Sequence, residues 1–154
     1  MNLEFKEHLK LSEKKEKDNL LKTLSKIPEK HKILLGDYTL NYINKNTLDG
    51  KNVGSLCGKK ILVSNSWNYG KEFVTLHEIG HVVWEKILSK KDKKDWKKLI
   101  SKTKNAQKTD SKSKESLNQS EEELFCMSYA SKYSKHPSIV YHNKKWLKFI
   151  EKFN

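Results

Sequence analysis

The chain contains no arginine: all 32 of its basic residues are lysine, set against 19 acidic residues for a formal net charge of +13. A charge of that size ordinarily points to nucleic acid or another acidic surface as partner. Arginine, however, is the side chain that reads phosphate and guanine bidentately, and its absence argues against a dedicated sequence-specific DNA reader. Nucleic acid is therefore not the favoured partner. Cysteine is scarce too: Cys57 and Cys126 lie far apart and form no C-x-x-C pattern, so reduced thiols are expected rather than a disulfide or a second metal site. Nothing approaches 18 consecutive apolar residues, so no membrane span is expected. Met1 to Lys10 is charged within four residues and has no apolar h-region, which predicts no secretory signal and a cytoplasmic protein. With 35% hydrophobic and 33% charged residues, the 1–154 chain fits one domain with a compact core, expected to be a monomer.

What is present is concentrated in Thr75 to Trp84, T-L-H-E-I-G-H-V-V-W. His77 and His81 are four residues apart, so on an α-helix they lie one above the other on one face, about 5 to 6 Å apart at Cβ, within reach of one metal ion. Glu78 follows the first histidine directly, which places its carboxylate beside the metal, able to take a proton from an activated water instead of ligating. The flanks Phe73, Val74, Leu76, Ile79, Val82, Val83, Ile87 and Leu88 wrap the helix in apolar side chains and predict burial on most sides. Polar groups inside such a helix need partners, and one zinc ion satisfies all of them at once. Gly80 lowers helix propensity by about 1 kcal/mol relative to alanine, so close approach of another backbone is expected there, with a strand lying over the helix as the source.

Around this helix the chain divides by pattern. Leu3 to Ile27 carries leucines among lysines and glutamates before Pro28 and reads as one or two amphipathic helices, a helical N-terminal arm over 1–28. From Lys32 to Asn65, short apolar runs at Ile33 to Leu35, Tyr38 to Tyr42, Val53 to Cys57 and Lys60 to Ser64 alternate with glycine turns, predicting an antiparallel meander of three or four strands. Within it, Ile61 to Ser64 is the candidate edge strand for substrate addition. Lys90 to Lys98 with Trp96, Leu99 and Ile100 reads as a solvated amphipathic helix. Residues 102–119 are almost devoid of apolar side chains and are expected to form a flexible loop. Ser120 followed by Glu123 is a capping box that opens a helix through Tyr133, and a last helix spans Asn143 to Phe153. The fold class expected is α+β, a small sheet packed on the active helix with further helices at both ends.

A catalytic zinc site wants three protein ligands and one open position. Histidine six residues after His81 would mark one peptidase class, but Ile87 stands there. The acidic opening of Ser120 to Tyr133 supplies a carboxylate instead. Helical periodicity places Glu122 and Glu123 equally well toward the core and does not choose between them.

H-E-I-G-H at 77–81, followed some forty residues later by E-L-F-C-M-S-Y-A, resembles the gluzincin arrangement. It is similar in particular to the catalytic domain of anthrax lethal factor and the bacterial Pro-Pro endopeptidases, and to small zinc peptidases beside phage immunity genes. The run from W-N-Y-G-K-E-F onward also resembles metallopeptidases of tailed phages. The resemblance implies a zincin-like fold, Zn2+ held by His77, His81 and Glu123, Glu78 as general base, a peptide or protein substrate, and a host-cell cytoplasm if the chain is phage-encoded. Two positions depart from the lethal factor type: Met127 replaces a second glutamate four residues after the ligand, and Ser116 replaces an oxyanion-stabilising tyrosine. Tyr133, His136 and His142 are the remaining candidates for that stabilising role, and Glu85, one turn beyond His81, for orienting a ligand. The alternative function is a basic, non-enzymatic binding protein with a structural zinc site.

Overall fold

The computed structural model describes residues 2–6, 12–43, 54–64, 70–103, 116–135 and 137–154. In chain order the elements are β1 (Asn2–Lys6), α1 (Ser12–Leu24), α2 (Glu29–Leu34), β2 (Thr39–Ile43), β3 (Gly54–Cys57), β4 (Lys60–Ser64), α3 (Gly70–Lys86), α4 (Lys90–Thr103), α5 (Glu121–Tyr133), a 3-10 turn at Ile139–Tyr141 and α6 (Lys144–Glu151). The α+β class is as expected. Three sequence expectations are not met. The N-terminal arm begins as a strand, because β1 pairs in parallel with β2 from Asn2 opposite Thr39 to Lys6 opposite Ile43. Ile33 and Leu34 are helical: Pro28 presets the N-cap of α2, and His31 and Leu35, four residues apart, share the buried face while Ile33 is 71% exposed. Nor is the sheet an antiparallel meander. Its order is β1-β2-β4-β3, with parallel pairing of β2 to β4 and antiparallel pairing only between β3 and β4.

That order relocates the edge. Ile61 to Ser64 lies inside the sheet with Ile61 and Val63 wholly buried, and the border strands among the described residues are β1 and β3. A two-residue turn, Gly58 and Lys59, joins β3 to β4, with Gly58 at φ +58°, the left-handed conformation that tight hairpins favour. Asp49, Gly50 and Val53 lie outside the described residues, as do 104–115, most of the predicted flexible loop; at that loop's borders α4 runs on to Thr103 and Leu117 is fully buried.

α3 is the helix about which the core forms. Leu76, Ile79, Val82 and Val83 are buried on it, and Leu40, Tyr42, Ile61 and Val63 of the sheet belong to the same apolar cluster. The Tyr42 hydroxyl donates to Thr75 Oγ1 at 3.2 Å, and Thr75 donates in turn to the Lys71 carbonyl at 2.6 Å, pinning sheet to helix. On the opposite side α5 packs antiparallel to α3: Gly80 meets Cys126, His81 meets Glu122, and Glu72 reaches the Lys135 amide. The backbone that Gly80 accommodates thus belongs to a helix, not to the strand expected. Trp96 of α4, fully buried, stacks edge-on to Phe125 and Trp146 and donates its indole N–H to the Glu121 carbonyl at 2.7 Å, fixing where α5 begins. Ser120 caps that helix by accepting from the Glu123 amide, and Asn143 caps α6 by accepting from Lys145 and Trp146.

Candidate metal centre

The helical spacing expected for His77 and His81 is realised: their rings stand 5.0 Å apart between centroids and nearly perpendicular. Both Nε2 atoms face the same carboxylate. Glu123 places Oε2 3.1 Å from His77 Nε2 and Oε1 3.2 Å from His81 Nε2. Glu122, its neighbour, takes the other nitrogen of the second ring, accepting from His81 Nδ1 at 2.7 Å. Consecutive residues on a helix diverge by about 100°, and here the divergence sends one carboxylate to the Nε2 atoms of both imidazoles and the other to His81 Nδ1.

Does this donor set fit zinc? In a tetrahedral site with nitrogen and oxygen ligands at about 2.0 to 2.2 Å, neighbouring ligand atoms are about 3.3 Å apart. The observed 3.1 and 3.2 Å separations of Glu123 from the two Nε2 atoms are close to that. A carboxylate hydrogen-bonded to the non-ligating nitrogen is the outer contact that metal-bound histidines characteristically make, and Glu122 makes it to His81. His77 Nδ1 is buried with no partner among the described residues. His77, Glu78 and His81 also form a group whose ligand atoms lie within 4.8 Å of one another. The proximity of Glu78 follows from its place beside His77 on one helix, whereas Glu123 comes from a separate helix and lies closer. The residues fit a zinc ion with Glu123 as the third donor and Glu78 adjacent.

The electrostatics carry the same division of roles. Hydrogen bonds from His77 and His81 hold the Glu123 carboxyl well below the usual carboxylate range. Burial alone would lower His81, but its hydrogen bonds to Glu123 and Glu122 carry it up to about 9. Glu78 moves the opposite way from Glu123: burial raises its carboxyl, and the nearby His77 and His81 offset this only in part. The two acids of one centre thus have their pKa values pushed in opposite directions.

The centre opens into a cleft of about 760 Å³. Toward the start of α3 its walls are Leu56, Phe73, Val74 and Met127; toward the end of α3 they are Trp84, Glu85, Lys93 and Gln119. Gly54 and Ser55 of β3 complete it, and Gly54 is where the sheet comes closest: a Cβ there would strike Glu78 Oε1 and lie 2.7 Å from Val74 Cγ1. Several sequence candidates are absent from these walls. Tyr133 donates its hydroxyl to Asn154 and His142 contacts Ser131, both away from the cleft, and His136 lies outside the described residues. Glu85 pairs with Lys86 at 2.9 Å, and the carboxylate that meets His81 Nδ1 is that of Glu122. Gly54 and Lys93 were not legible in the sequence, the first because a strand glycine carries no sign of what faces it, the second because it is one lysine among many.

Comparison with protein-family models, with curated proteins and with solved structures finds no match to this chain. None of the described helices is long and apolar enough to cross a membrane.

Proposed function

We propose that this chain is a zinc-dependent metallopeptidase of the zincin type, with His77, His81 and Glu123 holding the ion and Glu78 acting as general base. The observation that carries the reading is the convergence of both Nε2 atoms on one carboxylate of a second helix, with the buried Glu78 beside them in an open cleft. Zinc in this position supplies Lewis acidity, bringing the pKa of a water toward about 7 and polarising a substrate carbonyl.

The protein's own residues do the rest. Glu78 receives the proton of the attacking water on its carboxylate and delivers it to the nitrogen of the departing amine, and burial shifts its pKa upward, the direction that favours a carboxylate taking up a proton. Glu122 fixes the His81 tautomer by accepting from Nδ1, leaving Nε2 as the donor atom for the ion. Among the described residues β3 is bonded on one side only, by β4, and its other edge would take an extended peptide by strand addition, which moves the substrate-binding role from Ile61–Ser64 to Gly54–Cys57.

The test is a pair of variants on a peptide library with metal analysis of the purified protein. Glu78→Gln is expected to retain one zinc per chain and lose cleavage, and His77→Ala to lose both. Cleavage by Glu78→Gln at the wild-type rate ends the peptidase reading. Zinc retention together with salt-sensitive DNA binding that ignores Glu78→Gln would instead favour a basic binding protein with a structural ion.

A further inference from the structure

One wall of the cleft carries a cation that no carboxylate of the described residues neutralises. Lys93, in the first turn of α4, is half-buried, and its Nζ sits 5.1 Å from the centre of the Trp84 ring. Trp84 is itself only 9% exposed, so the indole is a fixed platform and the ammonium above it has a defined place. No carboxylate pairs with Lys93 among the described residues. Of the four acids that share its cleft, Glu85 is engaged by Lys86 at 2.9 Å, Glu122 by His81 at 2.7 Å and Glu123 by both imidazoles, and Glu78 is buried beside those imidazoles.

We infer that Lys93 is a specificity-determining residue that binds a carboxylate of the substrate, so that the peptides this cleft prefers are acidic on the side facing α4. The peptide occupant rests on the peptidase reading; the carboxylate site rests on Lys93 and Trp84. Position supports it. Trp84 lies three residues beyond His81, about 4.5 Å along the helix axis. The ammonium stands up to 5.1 Å further on, over the indole, so an extended peptide at about 3.3 Å per residue brings a group roughly one to three residues from the scissile bond to it. Among the described residues the remaining lining, which includes Leu56, Phe73, Val74 and Met127, carries no lysine, so on these residues the preference has a direction. The formal charge of +13 further favours the approach of anionic peptides. The carboxylate has two chemical sources, an aspartate or glutamate side chain and the free C-terminus of a short peptide.

Calorimetric titration of the zinc-loaded full-length Glu78→Gln protein separates them. The probes are acetylated, amidated octapeptides with one glutamate scanned along a neutral sequence, their glutamine twins, and a neutral peptide with a free C-terminal carboxylate. The expected result is about three- to tenfold tighter binding of the glutamate peptide at one or two adjacent positions. That ratio should collapse toward one in Lys93→Met, persist in Lys93→Arg, and shrink as salt rises. A gain confined to the free-carboxylate peptide, and lost in Lys93→Met, assigns the site to the chain terminus. Equal binding of every acidic and neutral pair, a preference that survives Lys93→Met, or no binding of any peptide overturns the proposal. Cleavage of the same peptides by the wild type, measured alongside, keeps the two readings apart. Cleavage without acidic preference removes the role of Lys93 alone; a Lys93-dependent preference without cleavage removes the peptidase reading alone.

Discussion

Replacing Gly80 by alanine sets two effects of known size against each other. In an isolated helix alanine is favoured over glycine by about 1 kcal/mol. In this fold the new Cβ would lie 2.9 Å from Cys126 Cα, 3.2 Å from its Cβ and 3.3 Å from its Sγ. Carbon atoms in ordinary contact are about 3.5 to 4.0 Å apart, so α3 and α5 must separate by roughly half an ångström or more. The nearest atom is main chain, and no rotamer change relieves it. Overpacking of this kind costs about 1 to 3 kcal/mol, so packing outweighs propensity and a net loss of about 1 kcal/mol is expected. Urea unfolding of the chelator-treated protein, followed by tryptophan fluorescence, measures it. The same separation draws Glu123 away from His77 and His81, so zinc affinity should fall by about tenfold or more. If Gly80→Ala instead stabilises the metal-free protein by about 1 kcal/mol and leaves zinc affinity unchanged, the contact between α3 and α5 at this point is refuted, and with it the route by which the carboxylate arrives.

Three further outcomes are expected. Glu122→Gln removes the charge behind His81 Nδ1 and should weaken zinc binding by about ten- to a hundredfold in a competitive chelator titration, with the fold retained. Gly54→Ala forces the Glu78 carboxylate aside and should lower kcat/KM by about a hundredfold at unchanged zinc content, because small displacements of a reacting group carry penalties of that order. His31, fully buried, donates from Nε2 to the Phe153 carbonyl and accepts at Nδ1 from the Tyr129 hydroxyl, and burial lowers its pKa. The unfolded chain therefore takes up a proton near pH 6.5 that the native state refuses, so this contribution is intact above that pH and is lost as pH falls below it. Between pH 7.5 and 5.5 the wild type should lose more stability than His31→Gln; identical slopes would contradict the assignment.

What the sequence disclosed follows the range of each interaction. His77, Glu78 and His81 were readable because helical geometry relates them within two turns, and Ser120 because a cap acts across three residues. Glu122 and Glu123 could not be separated by periodicity, since adjacent residues in a first turn both border the core; their roles are decided by which imidazole nitrogen each meets on α3. The sheet was misread for the same reason. β1 looks like a charged amphipathic segment, and its parallel partner β2 lies more than thirty residues away, a pairing that no local pattern encodes. Ile33 to Leu35 resembles a strand until His31 and Leu35 are seen to share one buried face.

The two parts of the proposed ligand set belong to distant parts of the chain, with Glu123 lying 42 residues beyond His81. An ion gripped by α3 and α5 together would act as a removable crosslink, closing a long loop that the unfolded chain must otherwise close unaided. Chelation should therefore register as a loosening of the second helix against the first, visible in amide exchange along 121–133 before any global melting, and the proposed metal centre would double as the rivet of its own scaffold.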